Sequence, residues 1–354
     1  MINLDEIWQE YGLEEFQDGM ERLFPESKIS LSDLMTDLLS GDVIGALSRF
    51  LEQTIAGMAD SLAGVKNIVV WLMVLGVVSA LVIHFVEIFD KHQVADLSFY
   101  FLYLLQAAVL LKCFVSIAQT AYECMENIVL FVKLLVPTYL LAVGVASGSA
   151  AVTAGHQLIL LLIYGVEALL IGAVIPMVYS YAMLAVVNGI FSEEKLALLM
   201  ELLERGIGWV LKAVLGAVTG VSLLQAIIAP AVDSLKSEAL EKAVSAIPGV
   251  GNAAEGVIEL AVGSAVVIKN SIGVILLIAL LGLCMVPLLK IFFCAVMLKL
   301  VAAFMGIVSD KRMTACANQT GDAAMMLFRT VGTAMLLFFI SLSVVAAFTN
   351  RGIV

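Results

Sequence analysis

Charge is what this sequence has least of. Of its 354 residues 14% are charged and 62% are hydrophobic, whereas soluble domains carry about 25% charged and about 45–50% apolar residues. A soluble chain of this length has too little interior to hide so much apolar surface, and lipid is the solvent that removes the difficulty. Cations are scarcer still, with 19 Lys and Arg against 30 Asp and Glu and a net charge of −11. That excludes a nucleic-acid partner, because phosphate binding needs clustered Lys and Arg. The five cysteines (Cys113, Cys124, Cys284, Cys294, Cys316) form no C-x-x-C pair and mostly fall in apolar runs, so they read as small buried hydrophobes. The three histidines do not converge in sequence. His84 and Glu87 share a helical face, but two ligands make no metal site. There is no G-x-x-x-x-G-K-[ST] loop, and Gly249-x-Gly251 lacks both a preceding strand and a third glycine. No Ser/His/Asp or Cys/His arrangement is present. The chain therefore reads as non-enzymatic, with no metal and no cofactor. No secretory leader is visible, since the first long apolar run starts near Ile68.

What the sequence does have is long apolar runs. A helix of about 20 residues crosses the ~30 Å hydrocarbon core. The runs predict an all-α, polytopic transmembrane bundle of seven or eight spans, at 67–89, 97–119, 127–147, 157–187, 207–229, 270–288, 289–308 and 325–349. The run 270–308 reads either as two short helices meeting near Pro287 and Lys290 or as one long broken helix. Residues 1–66 form an acidic, amphipathic helical region that lies on the membrane or packs on partners. A first transmembrane block covers 67–229 and a second covers 270–354. Between them, 230–269 reads as an amphipathic helix that stops at Pro248-Gly249-Val250-Gly251, followed by a short re-entrant or interfacial helix over Val257–Ile268. With an outside N-terminus, the loops 90–96, 148–156, 230–269 and 309–324 fall inside, which gives a weak positive-inside bias.

An internal repeat stands out. Gly189-Ile-Phe-Ser-Glu-Glu-Lys-Leu196 resembles Gly306-Ile-Val-Ser-Asp-Lys-Arg-Met313, and at the same offset Lys212 meets Arg329. A duplicated helical hairpin accounts for this. Three spans between the turns would put them on opposite membrane sides, so either 270–308 crosses only once or the repeat is inverted.

Ionisable groups at membrane depth are costly and default to function. They are Glu167, Lys112, Lys133, Lys212, Lys290, Lys299 and Arg329. Glu167 is read as the acid near the middle of a long apolar run; it either pairs with Lys112, Lys133 or Lys212 or lines a polar path. Lys133, Lys212 and Arg329 are near enough to span ends to snorkel. Gly144-x-x-x-Gly148 and Gly216-x-x-x-Gly220 are close-packing patterns. Pro137, Pro176 and Pro287 are expected to kink their helices.

Three segments carry a family resemblance: Leu240-Glu-Lys-Ala-Val-Ser-Ala-Ile-Pro-Gly-Val-Gly251, Gly263-Ser-Ala-Val-Val-Ile-Lys-Asn270 and Val286-Pro-Leu-Leu-Lys290. They resemble the stage III sporulation protein AE family over about 30–350. The resemblance implies a multi-pass component of the mother-cell membrane facing the forespore, with residues 1–66 extracytoplasmic. It implies a trans-envelope channel complex likened to secretion systems. Its implied partners are membrane lipid and sister proteins of the same operon, including a secretion-type ATPase and ring-forming proteins, with homo- or hetero-oligomers expected. Family members usually begin with a signal peptide, which this chain does not show. Two other readings stand beside the channel subunit: a secondary transporter with repeated hairpins, and a purely structural assembly scaffold.

Overall fold

The structure is a computed structural model. It describes residues 70–79, 81, 92–147, 164–165, 167–191, 195–244 and 251–351, with side chains chiefly over 70–79, 97–133, 167–191, 195–221, 277–307 and 309–341. Every described element is helical, because lipid leaves backbone groups no partner outside their own segment. The elements are α1 (Val70–Ser79), α2 (His92–Ser147), a π-helical stretch Leu170–Val174, α3 (Ile175–Asn188), α4 (Ala197–Val244), α5 (Gly251–Val308) and α6 (Lys311–Arg351).

Four helices are long and apolar enough to cross a membrane: Leu97–Lys133, Glu167–Asn188, Leu277–Ile307 and Lys311–Ser341. The expected break between 97–119 and 127–147 is not there. Residues 120–126 contain no Gly or Pro, and Gln119 donates to Glu123 across one turn at 2.9 Å, so α2 runs through as one helix of 56 residues. The expected pair 270–288 and 289–308 is likewise one continuous helix with Pro287 inside it, and Leu277–Ile307 is one candidate span. The backbone of Val257–Ile268, expected as a separate re-entrant helix, is the early part of the same α5. The last span begins at Lys311, not 325. Its polar residues lowered the hydropathy of 311–324, but its hydroxyls return their protons to the helix. Thr320 donates to the Cys316 carbonyl and Thr330 to that of Met326, each at 2.8 Å. The amphipathic helix ahead of Pro248 ends at Val244, as expected. α4 passes through 207–229, and α2 passes through Pro137 and Gly144. Residues 1–66 and Gly148 lie outside the described residues.

At Pro176 the helix changes form. It stands in the first turn of α3 and has no N–H to give Gly172. The turn before it widens into the π-helix, where the Ile175 N–H bonds to the Leu170 carbonyl.

Lipid tails are as apolar as leucine, so burying area does not hold these helices together; close packing does. On α2 the buried side chains recur every three or four residues, from Tyr103 through Leu110, Phe114 and Ile128 to Phe131. Besides Gly189, whose Cβ would overlap the Tyr103 phenol, two glycines that carry no expectation from the sequence stand at close approaches. A Cβ on Gly76 would meet Met305 at 3.0 Å, and one on Gly321 would meet the Lys299 stem at 3.1 Å and its backbone nitrogen at 3.4 Å. A Cβ on Gly216 or Gly220, expected to pack, would meet nothing within 4 Å among the described residues. All five cysteines are buried and unbridged.

The two repeat segments occupy equivalent places. Each closes a helical hairpin: Gly189–Leu196 joins α3 to α4, and Gly306–Met313 joins α5 to α6. Side chains cap both turns. Asn188 accepts from the Leu196 N–H at 3.0 Å, and Asp310 accepts from the Arg312 N–H at 2.8 Å. Both turns meet one patch of α2. Tyr103 donates to the Val186 carbonyl at 2.6 Å, and Gln106 donates to the Met313 carbonyl at 2.9 Å. The Phe99 and Tyr103 rings stack at 5.8 Å, and the Arg312 guanidinium lies 3.6 Å from the Phe99 ring centre. The turns therefore sit at one end of the bundle, joined through α4 and α5.

Candidate functional site: charges inside the bundle

The common turn end gives a ruler. An α-helix rises about 1.5 Å per residue. Asp322 stands 11 residues into α6, about 16 Å deep, and Lys299 stands 9 residues before the end of α5, about 14 Å deep. With the turn set at the membrane face, both stand about halfway through a ~30 Å hydrocarbon core. They form an ion pair at 2.5 Å, and the Lys299 ammonium also donates to the Asn318 amide oxygen at 3.0 Å. The side chains of the pair remain 34% and 30% exposed, so the site opens to the outside of the bundle.

Asp322 was the residue that sequence reading missed, because 309–324 had been read as loop. Its signal was present. Lys311, Asn318, Asp322, Arg329 and Thr333 follow at steps of 7, 4, 7 and 4, which places them on one face of a helix with 3.6 residues per turn.

Glu167 is elsewhere. It stands 21 residues before the end of α3, about 32 Å from the turn, which is the far edge of the hydrocarbon if the turn is set at the membrane face. There it pairs with Lys133 at 3.2 Å, one of the three partners the sequence offered. Lys133 also lies 4.9 Å from the Tyr164 ring centre. The shallow cleft beside Glu167 is walled by Met125, Val129, Leu170, Ile171, Ala334 and Phe338, all apolar. Glu167→Gln is expected to cost about 1 kcal/mol or less, as for a half-exposed ion pair, measured by thermal unfolding in detergent. Spore yield should be unchanged, and a variant that fails to insert would place Glu167 deeper than the helix geometry does.

The other candidate charges do not converge. Lys290 and Arg329 lie at similar depth, about 27 Å from their turn, with Lys290 half-buried and Arg329 exposed. Lys212 is exposed on α4 and Lys112 is exposed on α2. Among the described residues no group of three or more His, Cys, Asp or Glu side chains is placed to hold a metal ion.

An all-helical bundle with several membrane-length helices and an ion pair at mid-depth defines a membrane protein built around packing and a polar face. Stage III sporulation protein AE is the family whose pattern matches residues 29–349, and the chain belongs to that family. A curated relative from Bacillus subtilis (strain 168), named Stage III sporulation protein AE, is 21% identical over 263 residues. The matched region covers 74% of this chain and 66% of that relative, so the chain aligns with just under two thirds of the relative's length. No solved structure matches the chain.

Proposed function

We propose that this chain is a non-enzymatic membrane subunit of a trans-envelope channel or export complex joining mother cell and forespore, where it forms or supports the membrane passage. Family membership supplies the sporulation setting. The observation that carries the rest is the Lys299–Asp322 pair, because a half-exposed ion pair at mid-depth is poorly tolerated against lipid. Such a face belongs against water or against another subunit. In this reading the chain crosses the mother-cell membrane several times, with α3–α4 and α5–α6 as duplicated hairpins and residues 1–66 extracytoplasmic. Its partners are the sister proteins of its operon, including a secretion-type ATPase and ring-forming proteins.

The test is a tagged chain replacing the native copy in a sporulating cell. It should support heat-resistant spores and co-purify with those sister proteins from mildly solubilised membranes. A monomer that takes up a solute saturably in liposomes on its own would favour a secondary transporter. Loss of complex assembly with membrane permeability unchanged, on removing the chain, would favour a scaffold.

A further inference from the structure

α6 is the central helix: it touches α2, α3, α4 and α5. Among its described residues 311–341 only Lys311, Asn318, Arg329 and Leu336 are exposed. Three of these four are polar, and Asp322 and Thr333 continue the same stripe half-buried. α5 shows the opposite pattern. Its exposed side chains are Met297, Leu300, Phe304 and Ile307, with Ala303 and Gly306 between them, an apolar ridge that suits lipid. Lys299 leaves α5 between that ridge and the buried face and reaches back to Asp322. Open polar residues therefore form a narrow stripe on α6, and an apolar ridge on α5 runs beside it.

We infer that the α6 stripe is the wall of a water-filled furrow crossing the membrane, with a preference for anionic solutes. The inference rests on the passage reading above and assigns that passage to residues. Three arguments carry it. The stripe runs the depth of the hydrocarbon, from Lys311 at the turn to Arg329 about 27 Å below, so snorkelling at an end does not explain it. Its mid-depth charges are satisfied by each other and by the Asn318 amide oxygen, which leaves Arg329 exposed with no acidic partner among the described residues. The paired charges cancel, and Lys311 and Arg329 leave a positive lining, the sign that lines anion pathways. The other hairpin repeats the device. Glu201, Arg205 and Lys212 stand on α4 at the repeat-equivalent positions of Asn318, Asp322 and Arg329; all three are exposed, and Glu201 pairs with Arg205.

The test is thiol accessibility in membrane vesicles from sporulating cells, where the chain keeps its partners. The five native cysteines are replaced, and single cysteines are placed at Ala315, Asn318 and Thr333 on the stripe, at Leu300 and Phe304 on the ridge, and at Lys311 as the turn control. Membrane-impermeant thiosulfonates are applied, one anionic and one cationic. Only a hydrated thiol ionises to the reactive thiolate. Stripe positions should react at least tenfold faster than ridge positions, and the anionic reagent should outpace the cationic one at Asn318→Cys and Thr333→Cys after normalisation to free thiol. Stripe positions that react no faster than the ridge, while Lys311→Cys reacts, overturn the furrow, whether lipid or packed protein covers them. A faster cationic reagent overturns the anion assignment. Spore yield in the same strains separates the two layers: unreactive stripe positions with normal sporulation remove the furrow and leave the channel-subunit reading in place.

Discussion

Replacing Lys299 with Met, Asn318 with Leu, Asp322 with Leu and Arg329 with Met in one chain should give a well-folded protein that makes no more spores than a deletion of its gene. The four changes go together for a physical reason. Removing Asp322 alone leaves the Lys299 ammonium, which it holds with Asn318, short of a partner. Removing both charges leaves nothing to compensate, and apolar replacement of an ion pair is neutral or stabilising by about 1–4 kcal/mol. The stems also fit, since Met retains the unbranched length that Lys299 lays along Gly321. Folding is read from the melting temperature in detergent, which should hold or rise. Function is read from heat-resistant spores. A variant with normal spores would show that the polar stripe of α6 has no work to do. One that does not fold would show that the stripe is structural. Only a stable, inactive protein fits a hydrated wall.

That stripe shows where the sequence was legible and where it was not. The helical class was legible because apolar runs longer than a bilayer have few other solutions. The stop of α4 was legible too, because Pro248 and its glycines cannot continue a helix. The depth of a charge was not legible, because depth is measured from a turn, and the turn was drawn at the wrong place. Glu167 looked central when its run was measured from Leu160; measured from the turn at Gly189 it lies at the rim. Asp322 looked like loop because averaging hydropathy over 311–324 merges one polar face with three packed ones. On those packed faces Cys316, Ala317, Ala323 and Ala324 are buried. The two similar turns carried the missing information: both meet one patch of α2, and a single helix through Pro287 leads into the second of them. The ion pair of Glu167 with Lys133 was one of three alternatives, because it depends on how α2 meets the start of α3. No periodicity within either helix encodes that.

Gly189→Leu is expected to destabilise the bundle by about 1–3 kcal/mol from overpacking, with a further loss of about 0.5–1.5 kcal/mol if the Tyr103 hydrogen bond breaks. The reason is space, not backbone freedom. Gly189 has φ −75° and ψ −9°, a conformation open to any residue, but a Cβ there would overlap the Tyr103 phenol. Tyr103 has no room to move. Its side chain is fully buried, its hydroxyl is held by the Val186 carbonyl at 2.6 Å, and its ring rests on Phe99. Phe99 in turn carries Arg312 from the other turn. Displacing the phenol therefore loosens both hairpins at the end where they meet. Gly216→Leu is the control. Nothing stands within 4 Å of that position, and its melting temperature in detergent should match the parent. Tyr103→Ala combined with Gly189→Leu gives the cavity and the side chain to each other, so the double variant should lose less than the sum of the two single losses. Losses that simply add would mean that the two residues do not touch, and the shared anchor of the two turns would have to be sought elsewhere.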